Sequence, residues 1–172
     1  AALSVFGLEE NDTFSVTPAA IPIFIDGGDP IGVVGDVLNV LATGSASFAS
    51  GPESDEGGFA FAPELPVSYD HIEGLTLALD GNDFLVQGTN ADDDIKLVGS
   101  QDDTVTDAYL ISVNANPAIE VVNSGALTID GLNGDDEIDI DVFFLALPSL
   151  TVIGNNPSIT GDTLTVEGVP GD

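Results

Sequence analysis

The sequence predicts an all-β protein, an irregular right-handed parallel β-solenoid, with an immunoglobulin-like or Greek-key β-sandwich as the alternative. Short runs such as 127–129 and 138–142 alternate apolar with polar residues, which is the period of a β-strand, and no stretch has the period of an amphipathic helix. Turn clusters rich in Gly, Asn, Asp and Pro separate these runs, for example at 80–83 and 154–157. A third observation, an internal repeat, favours the solenoid, since short strands with frequent turns suit both folds.

The repeat relates the two ends of the chain. Residues 2–16 align without gaps on residues 126–140, and residues 35–40 align on residues 161–166 after small length changes. A junction made by placing Ala1 after Asp172 would resemble the internal passage 124–129. We therefore expect one period of a longer array, or separate copies that stack head to tail.

The pattern divides one continuous domain into four parts. They are an N-terminal repeat unit (1–43), a loop or hairpin excursion (44–66), central strands with Asp turns (67–124) and a C-terminal repeat unit (125–172). The excursion is set apart by its frequent Ser, Ala, Gly and Pro, and we expect it on one side of the solenoid.

The net charge of the chain limits the classes of partner that it can bind. The chain has 30 Asp and Glu residues against a single Lys, Lys96, which gives a formal net charge of −29, yet 43% of its residues are hydrophobic. This apolar content argues against disorder, and the absence of a basic cluster excludes nucleic acid and disfavours anionic membranes as partners. So many negative charges repel one another in a folded chain, and bound divalent cations are the leading candidate for reducing this repulsion.

Other features favour an exported protein. The chain has no Cys, so packing and metal must replace disulfides, and it opens without Met, as a processed or excised segment would. Its longest apolar stretch, 142–153, is interrupted by Pro148 and is far shorter than the ~20 residues of a membrane span, so no membrane insertion is expected.

A short motif recurs in which Asp stands two residues before an apolar residue that begins a strand. Three of its copies are ten residues apart, which would stack equivalent turns in a solenoid. Calcium takes six to eight oxygen ligands, which stacked carboxylates and turn carbonyls can supply. The predicted calcium ligands are Asp12, Asp36, Asp83, Asp93, Asp103, Asp136 and Asp162.

At these seven Asp positions the chain resembles the calcium-binding nonapeptide repeats of exported RTX-type proteins. Residues 11–16, 35–40 and 161–166 are also similar to repeats of very large bacterial surface proteins. The resemblance implies calcium binding and export, but not a regular β-roll with one ion per turn. The paired glycines of the RTX nonapeptide are mostly missing here, and the unit lengths vary.

Catalysis is not expected, although parallel β-helices often host polysaccharide lyases and hydrolases. Acidic pairs such as Asp102 with Asp103 or Asp135 with Asp136 would then be acid and base by analogy. The chain has no Arg to neutralise acidic sugars and no Trp to stack on them. Its one histidine, His71, is expected at the surface or a strand edge, where it offers no zinc site.

We therefore expect a structural subunit or repeat of an extracellular filament, surface layer or matrix adhesin. Its partners would be further copies, head to tail, and a surface polysaccharide, with calcium at the Asp turns as the cofactor. A carbohydrate-active β-helix enzyme and a monomeric, salt-adapted acidic domain are the alternatives. Asn11, in the sequon 11–13, is a weak glycosylation signal.

Overall fold

The computed structural model describes residues 1–30, 35–100, 107–143, 147–156 and 159–168, which form sixteen β-strands and no helix. No described segment is therefore a helix that could cross a membrane. The strands are β1 (Leu3–Phe6), β2 (Thr13–Val16), β3 (Ile23–Asp26), β4 (Val37–Leu41), β5 (Ala46–Ser50), β6 (Gly57–Phe61), β7 (Val67–Asp70), β8 (Gly74–Ala78), β9 (Phe84–Gln87), β10 (Asp94–Gly99), β11 (Ala108–Val113), β12 (Ile119–Val122), β13 (Leu127–Asp130), β14 (Glu137–Asp141), β15 (Leu150–Ile153) and β16 (Thr163–Glu167).

The strands form two eight-stranded sheets. The first sheet has the order β1-β3-β7-β6-β5-β9-β13-β15, and the second has the order β2-β4-β8-β12-β11-β10-β14-β16. Most pairings are parallel, and the antiparallel ones are confined to β5–β6, β6–β7, β10–β11 and β11–β12 among the described residues. The all-β prediction is confirmed, while the sheets are mixed and so differ from the antiparallel pattern of an immunoglobulin-like sandwich.

The chain alternates between the sheets. Strand β1 leads to β2, β3 to β4, β7 to β8, β9 to β10, β13 to β14 and β15 to β16, and each of these pairs occupies the same position in the two strand orders. Parallel neighbours need such crossovers, because a tight hairpin can join only antiparallel strands.

Each sheet contains one segment that folds back on itself. Strands β5, β6 and β7 run antiparallel within the first sheet, and β10, β11 and β12 do so within the second. The expected excursion at 44–66 thus contains β5 and β6, which lie between β9 and β7 in the first sheet and are an integral part of it. Their turn is closed by the amide of Gly51, which donates to the carbonyl oxygen of Glu56.

One hydrophobic core receives side chains from both sheets. Alternate residues of each strand are buried, as in β4, where Leu38 and Val40 are buried while Val37 and Asn39 are only partly covered. The first sheet contributes Ile25 and Phe48 to the same core. Because parallel in-register neighbours point to the same side of a sheet, the two-residue period seen in the sequence fixes which side chains face the core.

Candidate functional site

Five of the seven predicted Asp turns lie along one edge of the second sheet. Strands β2, β4, β8, β10, β14 and β16 all run in the same direction in this sheet, so their first residues lie along the same edge. An acidic residue directly precedes each of them. We call these residues the carboxylate ladder: Asp12, Asp36, Glu73, Asp93, Asp136 and Asp162.

Hydrogen bonds join neighbouring positions of the ladder. The main-chain amide of Asp12 donates to Asp36 Oδ1 at 2.6 Å, and the amide of Asp36 donates to Glu73 Oε2 at 2.6 Å. The carbonyl oxygen of Asp36 accepts the amides of Glu73 and Gly74, each at 3.0 Å. The carboxylates of Asp36 and Glu73 therefore join turns that lead into parallel neighbouring strands.

The same arrangement recurs in the second half of the ladder. The amide of Asp93 donates to Asp136 Oδ1 at 3.1 Å, and the amide of Asp136 donates to Asp162 Oδ1 at 3.2 Å. The two halves are separate because β12 and β11 lie between β8 and β10. Asn114, between β11 and β12, donates from Nδ2 to Asp93 Oδ1 at 2.6 Å and accepts the amide of Asp94 at 2.9 Å, so it extends the hydrogen bonding beyond Asp93.

Three ladder carboxylates have a buried oxygen without a hydrogen-bond donor. The Oδ2 atoms of Asp12, Asp36 and Asp136 have no partner, and Asp36 and Asp136 are only 0% and 1% exposed. An unpaired buried polar atom is costly, and a carboxylate oxygen more so. A bound cation or proton would therefore stabilise these three oxygens more than the other atoms of the ladder.

Each of these oxygens lies against the Cα atom of a glycine that follows a first-sheet strand. A Cβ atom would lie 2.6 Å from Asp12 Oδ2 if added at Gly7, and one added at Gly131 would overlap Asp136 Oδ2. Real Cβ atoms do not approach oxygen so closely. Glycine is therefore required at this place by the approach of the carboxylate.

The conformation of the residue after the glycine determines whether its amide donates to Oδ2 of the ladder carboxylate. At Asp93 the amide of Thr89 donates to Oδ2 at 2.7 Å. At Asp136 the equivalent residue, Leu132, has φ 69° and its amide donates to Asp130 Oδ1 instead. Positive φ in a leucine is unfavourable, so both strain and an unpaired carboxylate oxygen are concentrated at this turn.

Asp135 and Asp136 lie in opposite environments. The carboxylate of Asp135 accepts the amides of Ile159 at 2.9 Å and Thr160 at 2.8 Å and the Thr160 hydroxyl at 2.7 Å, and the Thr160 amide bond is the main cause of its strongly lowered pKa. Burial raises the pKa of Asp136, against the effect of the amide of Asp93 that its carboxylate accepts. Asp135 thus binds a neighbouring turn as a carboxylate, while burial disfavours the charged form of Asp136.

The ladder contains five of the seven predicted calcium ligands. Asp83 is in the opposite set of connections, which lead from the second sheet back to the first, and its Oδ1 accepts the amide of Ala126 at 2.9 Å. Asp103 and the candidate acid–base partner Asp102 lie outside the described residues. Asn11 is exposed immediately before the ladder residue Asp12.

His71 lies at the end of β7 in the first sheet. Its side chain is 44% exposed, and its Nδ1 is 2.9 Å from Asp26 Oδ1 and 3.7 Å from Asp70 Oδ1. The hydrogen bond to Asp26 raises the pKa of His71. The imidazole, when protonated, is therefore a counter-charge to two carboxylates on neighbouring strands.

Sequence reasoning missed Glu73, Asn114 and Asp92. Asp92 accepts the amide of Asp135 at 2.9 Å, from a position 43 residues earlier. The signal was available, because residues 88–93 (GTNADD) and 131–136 (GLNGDD) form a repeat with this spacing. Glu73 and Asn114 break the motif, since one replaces Asp by Glu and the other lies in a fold-back segment.

The two ends of the sheets form a second candidate surface. In β16, Leu164 and Val166 are in register with Ile138 and Ile140 of β14 and so face the core, yet they are 53% and 57% exposed, whereas Ile138 is 2% exposed. No strand follows β16 among the described residues to cover them.

The opposite end is similarly open. Between β1 and β2 lies a groove of about 420 Å³, and its apolar lining includes Leu3, Val5, Phe14 and Val16. Leu3 is 45% exposed although its neighbour in register, Ile23, is 7% exposed. Within the described residues, both ends thus present exposed core-facing side chains beside strand edges that have no neighbouring strand.

Comparison with known proteins adds no assignment. No protein-family model, curated protein or solved structure matches the chain. Among the described residues, no group of three or more His, Asp or Glu side chains is arranged to hold a metal ion. Calcium binding at the ladder therefore stays a prediction.

The contact between Gly131 and Asp136 can be tested by mutation. Gly131→Ala is expected to lower the free energy of unfolding by about 1–3 kcal/mol, because its Cβ would overlap the Asp136 carboxylate. Gly168→Ala is the matched control, since there the nearest atom would be Val142 Cγ2 at an ordinary 3.7 Å. Equal stability of the two variants in urea unfolding would show that the close contact is absent.

Proposed function

We propose that this protein is a structural subunit or repeat of an extracellular filament, surface layer or matrix adhesin that assembles head to tail. The observation that carries the proposal is the pair of open ends, where core-facing side chains such as Leu3 and Leu164 are about half exposed. Exposed strand edges pair readily with further strands, and two different ends give an interface that can repeat without closing.

The fold we propose for this role is an irregular parallel β-solenoid. Its support is the alternation of the chain between two sheets with parallel neighbours, interrupted by one fold-back segment in each. In a solenoid each repeat contacts mainly its neighbours, and a terminal repeat needs a cap or another copy. A second copy is the cap that matches both ends.

Calcium is the proposed cofactor of this assembly. Its support is the set of unpaired, buried Oδ2 atoms of Asp12, Asp36 and Asp136, together with a net charge of −29. A turn carbonyl approaches one of these places, since a Cβ added at Gly7 would overlap the carbonyl oxygen of Gly27 and lie 2.6 Å from Asp12 Oδ2. Carboxylate and carbonyl oxygens are the ligands that calcium prefers, and each bound ion would reduce the repulsion between copies.

Assembly is tested by light scattering of the purified protein in calcium. We expect masses that are multiples of the monomer and that rise with protein concentration. Leu164→Gln is expected to weaken association at least about tenfold, because covering a leucine side chain contributes about 1.5–3 kcal/mol. Val98→Gln, at a 38% exposed site on the outer face of β10, is the control and should assemble normally. A parent protein that stays monomeric at every concentration would overturn the proposal.

Calcium dependence is tested by thermal unfolding at fixed ionic strength. Saturating calcium, at about 100 times Kd, is expected to contribute about 2.7 kcal/mol and to raise Tm by about 5–10 °C. Asp136→Asn should lose part of this gain, and without calcium it should be at least as stable as the parent, because burial disfavours the ionised Asp136.

Glu120→Gln is the matched control for this charge change, because Glu120 is on the outer side of β12, away from the ladder. It should keep the full response to calcium. An equal gain in Tm from sodium chloride would instead favour the monomeric, salt-adapted domain.

A further inference from the structure

The hydrogen bonds of the ladder have a direction. Four main-chain amides of the ladder, those of Asp12, Asp36, Asp93 and Asp136, donate to the carboxylate of the next position towards β16. The amide of Glu73, where the ladder is interrupted, donates to the carbonyl oxygen of Asp36 instead. Asp12 precedes β2 and Asp162 precedes β16, so these two are the outermost ladder positions among the described residues. The end at Asp162 therefore offers an amide donor, and the end at Asp12 offers a carboxylate acceptor.

This direction selects one mode of association. Head-to-tail contact brings the Asp162 amide of one copy to the Asp12 carboxylate of the next. Contact between two Asp12 ends would oppose carboxylates, and contact between two Asp162 ends would oppose amide donors. Like charges placed together cost association free energy, whereas an amide that donates to a carboxylate contributes to it.

The internal repeat fixes the register of such a contact. Residues 2–16 match residues 126–140, so β1 corresponds to β13 and β2 to β14. Both β13 and β14 have neighbours on each side, since β13 pairs with β9 and β15, and β14 pairs with β10 and β16. The strands that β1 and β2 resemble in sequence thus have a neighbouring strand on both edges. We therefore expect β1 and β2 to accept a parallel strand on their free edges as well.

Two alignments follow from this correspondence. In the first sheet Leu127 is in register with both Phe84 and Leu150, so its counterpart Leu3 would lie opposite Leu150 of the preceding copy. In the second sheet Ile138 is in register with Ile95 and Leu164, so its counterpart Phe14 would lie opposite Leu164.

We propose that copies join with β15 paired parallel to β1 and β16 paired parallel to β2 of the next copy, so that Asp162 donates to Asp12 and the carboxylate ladder continues. This inference rests on the proposed head-to-tail assembly and specifies its register. Leu164 and Val166 would then cover Phe14 and Val16, which line the open groove at the other end.

The register can be tested by disulfide cross-linking, because the chain has no cysteine of its own. Ser15 and Thr165 are exposed on the outer face of their strands and would be directly opposite each other across the junction. Neighbouring strands are about 4.8 Å apart, which is within the Cα separation of a disulfide. Mild oxidation of Ser15→Cys/Thr165→Cys in calcium should give covalent multimers on a non-reducing gel.

The matched control is Thr13→Cys/Thr165→Cys. Thr13 is on the same face of β2 but two residues out of register, which would put the Cα atoms about 8 Å apart, too far for a disulfide. We expect at least tenfold fewer multimers from this variant. A second pair, Ser4→Cys/Thr151→Cys, is on the first sheet and should also cross-link. It tests the same register independently if the first variant folds poorly.

The outcomes separate the two proposals. Cross-linking of the in-register pairs alone supports the junction. Association of the unmodified protein by light scattering with no cross-links, or with equal cross-linking of the control, would overturn the register and leave the assembly proposal standing. An unmodified protein that does not associate would overturn both.

Discussion

The hydrogen bonds from main-chain amides to the stacked carboxylates are the interaction on which the rest of the structure depends. They hold the turns that lead from the first sheet into the second, as where Asp12 donates to Asp36 and Asp93 donates to Asp136. Each bond fixes the start of a second-sheet strand relative to its neighbour, and so helps to set the register in which Leu38 and Ile138 enter the core. An alternating strand displaced by one residue would turn its apolar side chains to solvent.

This arrangement stabilises the turns at an electrostatic cost. Carboxylates are brought close together in a chain of net charge −29, and one oxygen of Asp36 and of Asp136 is buried without a donor. A raised pKa at Asp136 is the expected result of removing such a group from water. A bound cation would neutralise these unpaired oxygens. The direction of the ladder would also favour attraction between the two ends of the molecule, because one end offers an amide donor and the other a carboxylate acceptor. Calcium and assembly are thus linked proposals.

Much of this could be predicted from sequence, because strand alternation and turn residues are local signals. The all-β class, the position of five ladder Asp residues before strands and the relation between 2–16 and 126–140 follow from patterns within short windows. The fold-back segments could not be placed, since pairing of β5 with β9 or of β10 with β14 depends on contacts distant in sequence. Glu73 and Asn114 were missed because they are not Asp. Their positions become equivalent to those of the ladder Asp residues only when the turns stack in the folded structure.

The most direct test of the head-to-tail account is electron microscopy of the purified protein in calcium. Eight strand positions in each sheet, at about 4.8 Å per position, give an expected axial repeat of about 38 Å along an unbranched filament. Filaments with that repeat would support continuous stacking of the sheets across copies. Discrete particles of monomer size at high protein concentration would contradict it.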